Sequence, residues 1–73
     1  MTFYEVMRIT ADEVELIVQD KNGKIIECMF VREAKTLPNH LLFDEKVLER
    51  IYCKETMRLL IKLDYTAGNK EVI

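Results

Sequence analysis

The chain contains no serine, one histidine, one proline and two glycines in 73 residues. The absence of serine excludes a serine nucleophile. Gly23 and Gly68 are the only glycines, which excludes a glycine-rich phosphate loop. His40 has no second histidine with which to build a base and its orienting partner, and sequence spacing places no carboxylate beside it. Cys28 and Cys53 match no CxxC or zinc spacing and are too few for a disulfide-stapled scaffold. No run approaches the ~20 apolar residues that span a bilayer. The N-terminal stretch MTFYEVMRITADE carries Glu5 and Arg8 and lacks the apolar centre of a signal peptide. The expectation is a cytoplasmic chain in a reducing compartment, not an enzyme, with no metal, no cofactor and no membrane partner.

Charge of one sign is also lacking. Eleven basic and thirteen acidic residues give a net charge of −2, spread without blocks. This argues against nucleic acid as a partner and equally against a densely acidic DNA mimic. Yet 49% of the residues are hydrophobic, whereas a domain of this size buries only about 60% of its unfolded surface. That excess predicts a homodimer or an obligate partner.

The strongest local signal is Lys21-Asn22-Gly23-Lys24, between two apolar-rich runs in Glu13–Arg32. Asn-Gly marks a β-hairpin because both residues tolerate positive φ. Two registers compete. A two-residue loop sets Leu16 against Met29, Ile17 against Cys28 and Lys21 against Lys24. A three-residue loop with Gly23 in the left-handed position sets Asp20 against Lys24, Val18 against Ile26, Leu16 against Cys28 and Val14 against Phe30. The second gives one wholly apolar face and an opposite-charge pair at the turn, and it is preferred on that criterion. The other face then carries Glu13, Glu15, Ile17, Gln19, Ile25, Glu27, Met29 and Val31, half of them apolar.

Elsewhere, alternation in Phe3–Ile9 predicts a first strand, with a turn at Thr10–Glu13. Pro38 interrupts Glu33–Phe43, where Asn39 is placed to cap a short turn through Leu42, and the apolar run 41–43 is expected to cover the sheet. Asp44–Glu55 reads as a helix with Asp44 as N-cap and Val47, Leu48 and Ile51 as its apolar stripe. Thr56–Tyr65 alternates strictly and reads as a strand with Met57, Leu59, Ile61, Leu63 and Tyr65 on one face, the other being interrupted by Leu60. Residues 66–73 form a loose tail. The expected fold is α+β, a single domain over 1–73: a three-stranded antiparallel meander, one helix and a closing β-strand (βββαβ). This order is similar, in topology alone, to that of small phage inhibitors of uracil-DNA glycosylase.

Candidate contact residues follow from the mixed hairpin face. Ile17, Ile25, Met29 and Val31, with Glu15 and Glu27, resemble an apolar centre with a charged rim. The competing reading covers this face with 41–43 and makes it core. Lys46, Arg50 and Lys54 recur at i, i+4, i+8 and form a candidate anion-binding stripe on the predicted helix, offset by Glu45 and Glu49. Cys53 reads as an incidental surface cysteine, Cys28 as a core residue. The function expected is a non-catalytic protein-interaction module of phage or mobile-element type, homodimeric, which binds or regulates a host protein through the mixed face and an unpaired sheet edge. The alternative is a nucleic-acid-binding accessory that uses the basic stripe.

Overall fold

The computed structural model describes residues 1–37 and 40–66. Its elements are α1 (Phe3–Arg8), β1 (Glu15–Gln19), β2 (Ile25–Phe30), α2 (Val31–Ala34), β3 (Val47–Cys53) and β4 (Arg58–Leu63). The strands form one mixed sheet in the order β2-β1-β4-β3. Two antiparallel hairpins, β1–β2 and β3–β4, meet along a parallel seam between β1 and β4. The α+β class stands. The βββαβ order is kept only roughly: a hairpin, a short helix and a second hairpin follow an N-terminal helix.

The first correction is Phe3–Arg8, a helix and not a strand. Thr2 and Glu5 form a capping box: Thr2 N–H donates to Glu5 Oε1 at 2.7 Å, and Glu5 N–H donates to Thr2 Oγ1 at 3.3 Å. The other early N–H groups also find acceptors. Phe3 donates to the Glu45 carbonyl at 2.9 Å, Tyr4 to Phe43 at 3.0 Å and Val6 to Thr2 at 3.1 Å. The donors left open at a helix start are therefore all used. Phe3, Val6 and Met7, one face at helical spacing, are buried, while Ile9 is 69% exposed. A strand would have put Ile9 beside Phe3 and Met7.

The second correction is Val47–Cys53, a strand and not the body of a helix from Asp44 to Glu55. Leu59, Ile61 and Leu63 of β4 are buried, so β4 needs hydrogen-bonded neighbours on both edges. β1 supplies one and β3 the other. Val47, Ile51 and Tyr52 suit a strand, and pairing outweighs the small helical preference of the charged residues among them. A turn at 54–57 joins the hairpin, with Met57 at φ 53. A register shift between Val47 and Glu49 leaves Leu48 as the extra residue.

The third correction concerns the first hairpin. Its loop is the three-residue one: Asp20 N–H donates to the Lys24 carbonyl at 2.8 Å and Gly23 has φ 88. Gln19 pairs with Ile25, but Val18 pairs with Glu27, Ile17 with Cys28 and Leu16 with Met29. A bulge at Ile26-Glu27 absorbs one residue and hands the strands over from one register to the other. The side chains of β2 beyond the bulge consequently change face. Met29 and Val31 belong to the core, and Cys28 and Phe30 are exposed.

The core lies on one side of the sheet. Phe3, Val6 and Met7 of α1, Val31 and Ala34 at α2, and Leu42 and Phe43 pack onto Val14, Leu16, Val18, Met29, Leu59, Ile61 and Leu63. Leu42 and Phe43 thus cover the sheet as expected, but on the core side; Leu41 is exposed. Lys35 ties α2 to the segment before β1 through Asp12 Oδ1 at 2.7 Å and the Thr10 carbonyl at 3.1 Å. The tail expected at 66–73 falls outside the described residues apart from Thr66, as do Pro38 and the predicted cap Asn39.

Candidate functional site: the open face of the sheet

Paired residues on neighbouring strands project to the same face, so the strand registers lay out the side opposite the core. Its central row runs Cys28, Ile17, Leu60, Ile51 across β2, β1, β4 and β3. On one flank lie Phe30, Glu15, Arg58 and Cys53; on the other lie Ile25, Gln19, Lys62 and Glu49. Among the described residues α1, α2 and Leu42-Phe43 pack on the other side, which leaves this face uncovered by them. Ile51 is 53% exposed and Ile25 56%; Ile17 and Leu60 in the middle are half-buried by their neighbours.

An ion pair stands on each flank. Arg58 Nε donates to Glu15 Oε1 at 3.0 Å, and Lys62 Nζ lies 3.5 Å from Glu49 Oε1. Both pairs are partly exposed, so each is worth at most about 1 kcal/mol. Their effect on the surface is larger than on stability. They hold four long charged side chains down on the sheet, beside the apolar row, without a surplus of either sign. Phe30 adds an aromatic corner, with the Arg32 guanidinium 5.0 Å from its ring centroid.

The candidate residues divide. Ile17, Ile25 and Glu15 lie on the open face as expected. Met29 and Val31 do not: they are core residues, because the bulge reverses β2 between Ile25 and Met29. Glu27 sits in the bulge, where His40 Nε2 reaches its Oε1 at 3.3 Å. Leu42 N–H donates to His40 Nδ1 at 3.0 Å, which turns the Nε2 edge of the ring towards Glu27. The carboxylate that spacing did not place beside His40 is thus supplied across the fold. His40 also packs beside Phe3 and Phe43, and the pair works as a strut between β2 and the segment before β3.

Lys46, Arg50 and Lys54 do not form a stripe, because β3 replaces the helix that would have aligned them. Lys46 precedes β3, in a bridge with Thr2. Arg50 pairs with Ile61 and so faces the core side, at the rim of a cleft of about 390 Å³ floored by Val14 and Leu59. Lys54 is in the β3–β4 turn. Cys53 ends β3 on the open face and Cys28 lies in the opposite edge strand, so the two thiols and His40 occupy separate parts of the fold. Hydrogen bonds from Thr56 pull the Cys53 thiol below its ordinary pKa. Among the described residues no three His, Cys, Asp or Glu side chains come together around a common point, and no helix is long and apolar enough to cross a membrane.

Sequence reasoning missed Leu60, Ile51, Arg58 and Phe30 as members of this face. One signal was visible: Leu60 breaks the otherwise polar face of β4. Compared with protein families, curated proteins and solved structures, the chain shows no significant match to any of them.

Proposed function

We propose that this chain is a non-catalytic protein-binding module and that it meets its partner through the open face of the sheet. The observation that carries this reading is the apolar row Cys28-Ile17-Leu60-Ile51, which crosses all four strands between two flanks that each hold an ion pair. An apolar centre within a polar rim is the layout of protein–protein contact surfaces. A contiguous exposed apolar patch on a small domain marks a contact site more often than it marks idle surface. Nucleic acid fits this face less well. The two cations on its strands, Arg58 and Lys62, are each matched by a carboxylate and the third, Arg32, lies against the Phe30 ring, which leaves little positive charge to displace counterions.

The test is site-specific photo-crosslinking in the native host cell. A photoreactive side chain at Ile51 or Ile25, both on the open face, is compared with one at Ile9, exposed beyond α1. Discrete protein adducts are expected from the open-face positions and not from Ile9. No adduct at Ile51 or Ile25, or the same adducts from Ile9, would overturn the reading. The adduct mass then tells a second copy from a different protein.

A further inference from the structure

On the premise that the open face is a contact surface, we infer that its occupant is a second copy of this chain. The two copies pack sheet on sheet about a two-fold axis that runs along the β1–β4 seam, parallel to the strands. Charge complementarity under symmetry selects this arrangement.

Face-to-face packing of two identical sheets requires a two-fold axis lying between them. An axis parallel to the strands exchanges β1 with β4 and β2 with β3 and keeps each row opposite itself. Glu15 then faces Arg58 of the second copy, and Arg58 faces its Glu15. The two intramolecular pairs, each 3.0 Å long, close into one alternating cluster of four charges on the axis. Ile17 faces Leu60 in the apolar row beside it, and Lys62 faces Gln19, whose side-chain carbonyl can accept from it. An axis perpendicular to the strands instead exchanges the flanks. It sets Arg58 of each copy against Lys62 of the other, two like-charge contacts that oppose association. The parallel axis is the one that the surface matches.

The size of the face sets the strength. Four strands about 4.8 Å apart and five residues at about 3.4 Å each outline a flat footprint of roughly 300 Å² per copy. Even with side-chain relief this falls below the ~800 Å² per partner of standard stable interfaces, among weak and concentration-dependent associations. The dimer is therefore one that forms and dissociates, with its face accessible to competitors.

The test is sedimentation equilibrium of the full chain from about 5 to about 500 µM at low salt, a range that brackets weak self-association. The wild type is expected to self-associate. Glu15→Arg places two cations against two in a homodimer, and Arg58→Glu places two anions against two. Each variant should raise the dissociation constant at least about tenfold, as like charges brought together do. An equimolar mixture of the two should associate again, because the cations of one copy then face the anions of the other. Far-UV circular dichroism confirms that each variant is folded. Ile51→Lys, at an exposed position of the edge strand, serves as an independent probe and should weaken association without any change of charge in the cluster.

A wild type that stays monomeric to about 500 µM, well beyond the usual range of specific protein contacts, would overturn the inference. So would single variants that still associate, a mixture no better than its components, or an Ile51→Lys chain that associates like the wild type. A monomer that still crosslinks a different protein from Ile51 would remove the second copy and leave the binding-module reading standing. Self-association that ignores all of these substitutions, with no open-face crosslinks, would remove both.

Discussion

Asp20 and Lys24 close the first hairpin from both directions: Asp20 N–H donates to the Lys24 carbonyl at 2.8 Å, and Lys24 N–H donates to Asp20 Oδ1 at 3.0 Å. The same Oδ1 accepts from Asn22 N–H at 2.9 Å. Asp20 is buried, so its carboxylate does inside the turn what water would do outside it. Asp20→Ala removes the acceptor and leaves backbone donors without it, at a cost of about 1–3 kcal/mol. Asp20→Asn keeps an oxygen in place and should lose less than half of that. Urea unfolding of the two variants checks the order.

The bulge makes opposite predictions for two neighbours in the hairpin. Met29 is in the core and Ile17 is on the open face. Met29→Ala should destabilise by about 2–4 kcal/mol, and Met29→Glu should abolish the folded state, since the charge has nowhere to go. Ile17→Glu should leave circular dichroism and cooperative unfolding intact. A folded Met29→Glu chain would mean that β2 keeps the register of its loop throughout.

Met57 adopts φ 53 at the end of the β3–β4 turn. A left-handed conformation costs a non-glycine residue about 1 kcal/mol. Met57→Gly relieves this strain and should stabilise the chain by up to about 1 kcal/mol, which thermal unfolding measures. Met57→Val, with a branched side chain at the same φ, should move the other way.

Glu5 supplies a dependence on pH. The hydrogen bond from Thr2 N–H holds its carboxyl below the ordinary value of 4.5. The folded state therefore prefers the ionised form. The stability contributed by Glu5 is present above pH 4.5, the unfolded value, and is lost as pH falls through the lower folded value. Glu5→Gln should unfold at a lower temperature than the wild type near neutrality, and the gap should narrow as pH falls below 4.5 and Glu5 takes up its proton. A gap that stays constant with pH would mean that the capping bond is not made in solution.

Two helical features near the N-terminus were legible in hindsight. Thr2-Phe3-Tyr4-Glu5 is a capping-box signature, and Phe3, Val6 and Met7 have helical spacing. Alternation over a short apolar-rich stretch competes with that reading, because Phe3, Met7 and Ile9 also share a strand face. What separates them is the burial of Val6 and the exposure of Ile9. At Val47–Cys53 the conflict ran the other way. Asp44 looks like a cap and Val47, Leu48 and Ile51 like a helical stripe, but the partner that makes the segment a strand is β4, across the turn at 54–57. The candidate site followed the same pattern. Ile17, Ile25 and Glu15 were read correctly as an ambiguous face, whereas Leu60, Arg58 and Ile51 join them only through the pairing of β1 with β4 and of β4 with β3.

Local chemistry in the chain by itself determined the hairpin loop, through Asn22-Gly23 and Asp20, and the strand at Arg58–Leu63, through strict alternation. Those are properties of neighbours in sequence, and neighbours in sequence suffice to express them. The tertiary structure alone decided the face of β2, because a single bulged residue at Ile26-Glu27 reverses every side chain beyond it and leaves no local mark. It also decided that Val47–Cys53 pairs as a strand, that Glu27 meets His40, and that four residues from four strands align as one apolar row. Each of these depends on contacts between segments, whose register is set by the sheet and the core together and not by any one stretch of the chain.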